Sequence, residues 1–380
     1  MRVKLGEVAT YINGYAFKPS DWSDTGVPII RIQDLTGNSY QANRYNGTYD
    51  KKYEVLPSDV LISWSASLGV YVWDGEPAVL NQHIFKVVFN KCPVDKSFFV
   101  HQVRSILMRA ASAAHGATMK HLTKPVFDAL PFYLPRLEEQ RRIAAVLDKV
   151  TDLIAKRQAQ LDKLDELVKA RFMEMFGDPE INSLKLPSCP MPNLCEIIDG
   201  DRGSNYPKQE DLSSEGYCLF LNAKNVTSSG FCFDECLYIS KEKDSVMRKG
   251  KLRRGDIVLT TRGTIGNLAF YDHSIPFENV RINSGMVLLR IHKDQITEIF
   301  FIEQFRILLN YIKRKIANGS AQPQLPISTM RQIKMLVPPL KDQATFNDIV
   351  IRSQTLKSNI DRSLNQMKNV KKSIMQKYFE

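Results

Sequence analysis

"PRLEEQ" at residues 135–140 and "PPLKDQ" at 338–343 write one junction twice. In each, proline stops one kind of structure, and a leucine and a glutamine open a long run free of Gly and Pro. Pro135, Leu137 and Gln140 each stand 203 positions before Pro338, Leu340 and Gln343. A junction repeated at one interval calls for comparing the chain with itself.

The comparison extends along most of the sequence. "KLGEVA" at 4–9 is similar to "NLCEII" at 193–198, pairing Leu5 with Leu194 and Glu7 with Glu196. "PSDVLISWSASLG" at 57–69 is similar to "RRGDIVLTTRGTIG" at 253–266, pairing Asp59 with Asp256 and Gly69 with Gly266. "LNQHIFKVVF" at 80–89 matches "INSGMVLLRI" at 282–291, pairing Asn81 with Asn283, and Phe98-Phe99 matches Phe300-Phe301. "GATMKHL" at 116–122 matches "GSAQPQL" at 319–325. The offset grows from 189 at Leu5 to 197 at Asp59, 202 at Asn81 and 203 from Gly116 onward. Insertions therefore sit early in the unit, where loops absorb them. The two long runs keep one register and one length.

Each copy reads as a globular part, 1–134 and 181–337, followed by a helix, 135–180 and 338–380. The runs "PIIRI", "DVLISW", "GVYVW" and "HIFKVVF", with "DIVLTT" and "GMVLLRI" in the second copy, are β-rich and bounded by turn formers. "SFFVHQVRSILMRAASA" and "EIFFIEQFRILLNYIKRKIA" have helical spacing. The fold class expected is mixed α/β (α+β) in two similar domains. From Glu138 to Phe176, Ile143, Leu147, Val150, Ile154, Leu161, Leu164, Val168, Phe172 and Met175 form an apolar stripe. Phe346, Ile349, Leu356, Ile360, Leu364, Met367, Val370, Ile374 and Tyr378 form its counterpart. Each run, ~39 residues long, would span ~58 Å as a helix. Equal helices leaving equivalent places pack most simply on each other, antiparallel and coiled-coil-like, with pseudo-twofold symmetry.

With 380 residues, 43% of them hydrophobic, two or three domains with real cores are expected. No apolar run approaches the ~18 residues of a membrane span. The N-terminus lacks the apolar stretch of a signal peptide, so a cytoplasmic address is expected. Cys232 and Cys236 stand four apart with no further ligand at zinc spacing, so reduced thiols are expected and no metal. The net charge is +11, and between Lys241 and Arg262 eight Lys/Arg face three acids. A solvated loop is the ordinary role of such a cluster, and phosphate contact the sharper one.

Catalytic tools are absent from the sequence. It has no G-x-x-x-x-G-K-[ST] loop, no G-x-S-x-G elbow and no H-E-x-x-H. "GTIG" at 263–266 is a turn, and "VPPL" at 337–340 lacks the Asp or Asn that an adenine methyltransferase carries before its prolines. Two similar basic-leaning domains on a spacer suit an elongated bipartite target such as DNA. Candidate base or phosphate contacts are Arg31, Gln33, Ser65, Asn81, Gln82, His83 and Lys120 in one copy. In the other they are Asn222, Lys224, Asn225, Arg262, Thr264, Asn283, Gln322 and Gln324. A cap or turn hydrogen bond is the ordinary role of any one of them.

The "KLGEVA" opening, "GDIVLTTRGTIGN", "VLNQHIFKV", "GSAQPQLP" and the repeated proline–leucine–glutamine helix start together resemble the DNA-specificity subunits of type I restriction–modification systems. The resemblance covers nearly the whole chain. It implies two target-recognition domains, each reading one half of an asymmetric, interrupted DNA sequence. It implies helices that set the unread gap and bind two methyltransferase subunits, with two restriction/translocase subunits joining for cleavage. S-adenosylmethionine, ATP and Mg would act in those partners, and no cofactor in this chain. Some members carry a helical segment before the first domain; this chain starts in the domain, and the complete set of repeats argues against truncation. Trp64-Ser65 stands where the second copy has Thr261-Arg262, so the halves are diverged readers. The rival reading is a pseudo-symmetric scaffold for two protein partners that ignores DNA. A third is a nuclease or methyltransferase with unrecognised motifs.

Overall fold

The repeated junction is built around a buried glutamine. Gln140 accepts a hydrogen bond from the Asp95 N–H at 2.8 Å and donates to the carbonyls of Pro135 at 2.9 Å and Pro93 at 3.5 Å. Gln343 accepts from the Thr297 N–H at 2.9 Å and donates to the carbonyls of Pro338 at 2.8 Å and Gln295 at 2.9 Å. Both side chains are buried. Each amide thus fastens a helix start to a distant loop and satisfies main-chain groups that water cannot reach. The computed structural model describes residues 1–38, 43–113, 122–317 and 324–379. The chain divides into two compact units, one of residues 1–159 with 360–380 and one of 160–359.

The first unit contains β1 (Arg2–Lys4), β2 (Thr10–Asn13), β3 (Val27–Ile30), β4 (Arg44–Tyr45) and β5 (Glu54–Val55). It continues with β6 (Val60–Ser63), β7 (Gly69–Val72), β8 (Ala78–Leu80), β9 (Ile84–Val88) and β10 (Pro131–Tyr133). Its short helices are α1 (Leu5–Val8), α2 (Ile32–Leu35) and α4 (Lys124–Asp128), and its longer ones are α3 (Lys96–Ala113) and the start of α5 (Leu137–Phe176). One antiparallel sheet runs β2–β9–β6–β7, and a second runs β4–β3–β8–β5 with β3 and β8 parallel. β1 pairs with β10. The strand expected through "PIIRI" ends at Ile30, because the Arg31 N–H bonds the Asp34 carboxylate at 2.8 Å and starts α2.

The second unit repeats this plan. Its strands are β11 (Ser188–Pro190), β12 (Cys195–Asp199), β13 (Cys218–Leu221), β14 (Val226–Thr227), β15 (Gly230–Phe231) and β16 (Tyr238–Ile239). Then come β17 (Asp256–Thr260), β18 (Leu268–Phe270), β19 (Val280–Ile282), β20 (Met286–Ile291) and β21 (Lys334–Leu336). The helices are α6 (Lys241–Val246), α7 (Glu298–Ala317), α8 (Ile327–Met330) and the start of α9 (Leu340–Phe379). The sheet β12–β20–β17–β18 has the order of β2–β9–β6–β7. The parallel pair β13/β19 corresponds to β3/β8, and β11/β21 to β1/β10. The repeat read from the sequence is therefore a repeat of topology, but its opening register differs: the Leu5 N–H bonds Leu130 O where the Met191 N–H bonds Ile333 O, so Leu5 is equivalent to Met191 and not to Leu194.

Both long helices have 40 residues, ~60 Å at 1.5 Å per residue. In the first unit Ile143, Ala144 and Leu147 share a core with Ile374, Met375, Tyr378 and Phe379. In the second, Val168, Phe172 and Phe176 share one with Phe346 and Val350. In each unit the start of one helix packs on the end of the other, which makes the pairing antiparallel.

The stripe expected for α9 needs correcting. Leu356 and Val370 are 52% and 51% exposed, and Ile349 is only half-buried. Burial follows Phe346, Val350, Ser353, Lys357, Ile360, Leu364, Met367, Lys371 and Ile374 instead. Ile349, Leu356 and Val370 differ by multiples of seven and so share a face, but it is the face beside the seam. Polar Ser353, Lys357 and Lys371 occupy seam positions, and Lys357 is bonded to Asp165 of α5. In α5, Val150, Ile154, Leu161, Leu164 and Met175 are half-buried. Val146, Leu153 and Leu167, each one residue before Leu147, Ile154 and Val168, are exposed on the flank. Among the described residues, no helix is long and apolar enough to cross a membrane.

Candidate nucleic-acid interface

In the first unit four stretches meet along the rim of the β2–β9–β6–β7 sheet where β2 and β6 end and β9 begins, an edge formed by strand ends. The Trp64 N–H donates to the His83 carbonyl at 3.2 Å, and the Leu122 N–H to the Trp64 carbonyl at 2.9 Å. The Gly14 N–H donates to Ile84 O at 3.1 Å, Tyr15 N–H to Leu80 O at 2.8 Å, and Gln82 N–H to Tyr15 O at 2.8 Å. A Cβ on Gly14 would lie 2.0 Å from the Asn81 carbonyl oxygen, so only glycine permits this approach.

The second unit builds the same edge with other side chains. The Thr261 N–H donates to Gly285 O at 2.8 Å, and the Leu325 N–H to Thr261 O at 3.0 Å. A Cβ on Gly200 would stand 2.3 Å from the Asn283 carbonyl oxygen. Arg262 and Gln324 face each other across an antiparallel bridge. Arg202 donates to the Asp199 carboxylate at 3.1 Å and the Ser284 carbonyl at 3.4 Å. The Ser63 and Thr260 hydroxyls make the same turn bond, to the carbonyls of Ser67 and Thr264.

The predicted residues fall into three groups. Ser65, Asn81, Gln82 and His83 lie on the first edge, as do Arg262, Thr264, Asn283 and Gln324 on the second. Of these, Arg262, Thr264 and Gln324 are exposed, while Ser65 is buried. Asn81 and Asn283 use their amide oxygens to accept the N–H of Gln82 and of Gly285, both at 2.9 Å. His83 adopts φ 72° and sets its ring edge-on to Trp64 at 4.9 Å. Arg31, the N-cap of α2, and Gln33 within it lie beside the first edge, since the Asn81 N–H donates to Ile30 O at 3.1 Å. Arg31 pairs with Asp34 at 3.3 Å.

The second group is held by local bonds. Asn222 accepts from Lys224 N–H at 2.8 Å, and Lys224 pairs with Glu235 at 2.6 Å. Buried Asn225 donates to the carbonyls of Cys232 at 3.0 Å and Glu235 at 2.8 Å. These asparagines hold a turn together. The third group, Lys120 and Gln322, lies outside the described residues.

The Lys241–Arg262 charge run is not one patch. Lys243 pairs with Asp211 at 2.8 Å, Lys251 with Asp244 at 2.6 Å and Arg254 with Glu278 at 2.8 Å. Arg253 and Arg254 precede β17 and Arg262 follows it, so they mark opposite ends of the strand. Of the run, Arg248 and Lys249 join Arg262 near the edge. The Arg248 N–H reaches the Asp201 carboxylate at 2.7 Å, and a Cβ on Gly250 would stand 3.4 Å from the Gly200 Cα. The N–H of Gly203, with those of Arg248, Lys249 and Arg202, holds the Asp201 carboxyl below its ordinary range. These residues line a cleft of about 420 Å³.

Sequence reasoning missed Asn13-Gly14-Tyr15 and Asp199-Gly200-Asp201 as edge components. The available signal was an Asn/Asp-Gly pair directly after the first sheet strand of each copy. Among the described residues, no group of three or more His, Cys, Asp or Glu could hold a metal ion. The Cys232 thiol donates to Asp234 at 3.3 Å and that of Cys236 to Phe233 O at 3.4 Å. Burial pushes the Cys195 and Cys218 thiols up to about 12.

Residues 1–165 and 192–366 match the family model described as the type I restriction modification DNA specificity domain. The chain is 24% identical to the type I restriction enzyme EcoBI specificity subunit of Escherichia coli, over 100% of this chain and 85% of that subunit. It is 22% identical to the MjaVIII specificity subunit of Methanocaldococcus jannaschii, over 98% of this chain and 90% of the relative. The crystal structure of an S subunit from M. genitalium superposes with a TM-score of 0.58 at 15% identity, covering 100% of this chain and 96% of that one. A chain from a structure of type I R-M complex assembly and conformational transition gives 0.53 at 16%, covering 100% and 97%. The fold is that of these S subunits.

Proposed function

The chain belongs to the type I restriction–modification DNA specificity family, and from that premise we propose that it reads DNA for such a complex, one half of a bipartite, asymmetric target per unit. The observation that supports this most directly is one main-chain edge built twice with different side chains. Trp64-Ser65, His83 and Asn13 in the first unit correspond to Thr261-Arg262, Gly285 and Asp199 in the second. A fixed frame with interchangeable tips is what reading two different half-sites needs.

In this reading the base contacts come from Gln82, His83 and nearby Arg31 and Gln33 on one side. On the other they come from Arg262, Thr264 and Gln324. The paired helices act as spacer and docking platform for two methyltransferase subunits, joined by two restriction/translocase subunits when cleavage occurs. Methyl transfer with S-adenosylmethionine, and ATP- and Mg-dependent cleavage, are assigned to those partners. The chain itself is a non-catalytic reader.

The test is co-expression with the methyltransferase partner and mapping of methylated adenines across a genome. The expected motif has two unlike halves around an unread gap. Arg262→Ala should cost about 1–3 kcal/mol of discrimination at one half-site and leave the other intact. Unchanged specificity at both halves would remove Arg262 from the interface. A complex whose methylation ignores this chain, and which gives no salt-sensitive shift of duplex DNA, would favour the scaffold.

A further inference from the structure

The two units carry a basic pair at the same place beside each reading edge. Lys51-Lys52 precede Asp59 by the same interval at which Arg248-Lys249 precede Asp256. The two aspartates are equivalent in structure: Asp59 accepts the Leu56 N–H at 2.9 Å, and Asp256 the Arg253 N–H at 2.8 Å. Their carbonyls accept from Trp73 and Tyr271, both at 2.9 Å.

Each pair stands against the equivalent piece of its edge. In the first unit Tyr53 follows the pair and sets its ring 5.7 Å from that of Tyr15. In the second Gly250 follows, and the Arg248 N–H bonds Asp201, the residue equivalent to Tyr15. From these contacts we infer that Lys51-Lys52 and Arg248-Lys249 are phosphate clamps. They would grip the DNA backbone beside each half-site and orient the reader without reading bases. The inference rests on the DNA-binding role proposed above and deepens it.

Charge and rigidity support the assignment. Lys51, Arg248 and Lys249 are exposed and make no ion pair among the described residues. Lys52 pairs with exposed Asp50 at 2.9 Å, a contact of little worth that a phosphate can replace. Two acids lie near the second pair. Asp201 is held by main-chain N–H groups, and Asp199 is paired with Arg202. Both backbones are fixed in advance. Asp50 accepts the Lys52 N–H at 3.0 Å. Buried Arg281 donates to the carbonyls of Lys249 at 2.7 Å, Asp244 at 2.8 Å and Met247 at 3.1 Å, holding the strap that carries Arg248 and Lys249. Phosphate contacts carry no sequence information, so diverged readers can share them while their tips differ.

The test uses the complex with its methyltransferase partner and a duplex containing the mapped target. Affinity is measured across salt concentrations for wild type, Lys51→Ala/Lys52→Ala and Arg248→Ala/Lys249→Ala. Each double variant should flatten the slope of log affinity against log salt by about 1 to 2, as expected for one or two lost phosphate contacts. The methylated sequence should stay the same at both halves, and Arg248→Lys/Lys249→Arg should keep the wild-type slope. A wild-type slope in both Ala variants overturns the clamps alone. So does a changed base preference, which would make these residues readers. Salt-independent binding by the wild-type complex would overturn the DNA-reading role as well.

Discussion

Val79 and Arg281 occupy the same place in the two units. Each lies in the strand that pairs in parallel, Val79 opposite Ile29 and Arg281 opposite Phe220. Val79 is buried with Phe17 and Ile29, flanked by Tyr45 and Tyr49. Arg281 is equally buried but charged, bonded to the Asp244 carboxylate at 2.5 Å and capped by three carbonyls. The first unit supports its edge from an apolar core, the second from an ion pair that also fastens a loop. One topology accepts both because the sheet bonds are main-chain bonds and do not depend on which side chain fills the space.

This contrast can be broken most forcefully at Arg281. Arg281→Met should cost about 3–5 kcal/mol, because it leaves Asp244 buried with only Lys251 as counter-ion. Chemical denaturation should show the loss. The methylation map should then degrade only at the half read by the second unit. A loss below about 1 kcal/mol would mean that the ion pair is not what holds the strap.

Where the units agree, equal effects are expected. Gln140→Ala and Gln343→Ala each strand a main-chain N–H and two carbonyls. Each should destabilise by about 2–3 kcal/mol, read by thermal or urea unfolding. Clearly unequal losses would show that one copy of the junction has been relieved of its role.

The smallest expected effect separates the units by pH. His101 on α3 and Glu303 on α7 precede the equivalent Gln102 and Gln304. His101 meets Asp148 at 2.7 Å, and Glu303 meets Arg306 at 2.7 Å. Burial lowers the His101 pKa below its ordinary 6.5, with Lys371 and Arg104 adding to this and Asp148 opposing it. The unfolded chain then binds the proton more readily, and stability should fall as pH drops below 6.5. Burial raises the Glu303 carboxyl above its ordinary 4.5, against Arg306 and Lys357 and with Asp165. Here the folded chain holds the proton longer, so stability should fall as pH rises from 4.5 through the raised value. Glu303→Gln should therefore raise the melting temperature at neutral pH and lose that advantage in acid. A lower melting temperature at neutral pH would show that the contact with Arg306 outweighs desolvation.

Much of the fold was legible because it is periodic. The strand runs, both helices ending each globular part, and the junctions could be read from spacing and breakers. Buried Gln102 and Gln304 escaped notice. Gln304 bonds both main-chain groups of Leu336, at 2.5 and 3.1 Å, and Gln102 faces those of Tyr133 in the same way. A glutamine inside an amphipathic helix looks like any other polar residue until the strand it serves is in place. The candidate interface was half legible. Spacing and turn formers mark the turns as segments, but a sequence does not separate the asparagine that caps its own turn from one facing outward.

The sequence by itself determined the duplication, the equal helices and the two mixed α/β units, because those depend on local spacing and on a comparison of the chain with itself. Tertiary structure alone decided which face of α9 is the seam, since steps of seven fit two neighbouring faces equally well. It alone separated Arg253 and Arg254 from Arg262 at opposite ends of one strand, and it set Lys51-Lys52 and Arg248-Lys249 beside their edges. Those facts depend on contacts between segments far apart in the chain, and the identity of a residue does not encode its distant neighbours.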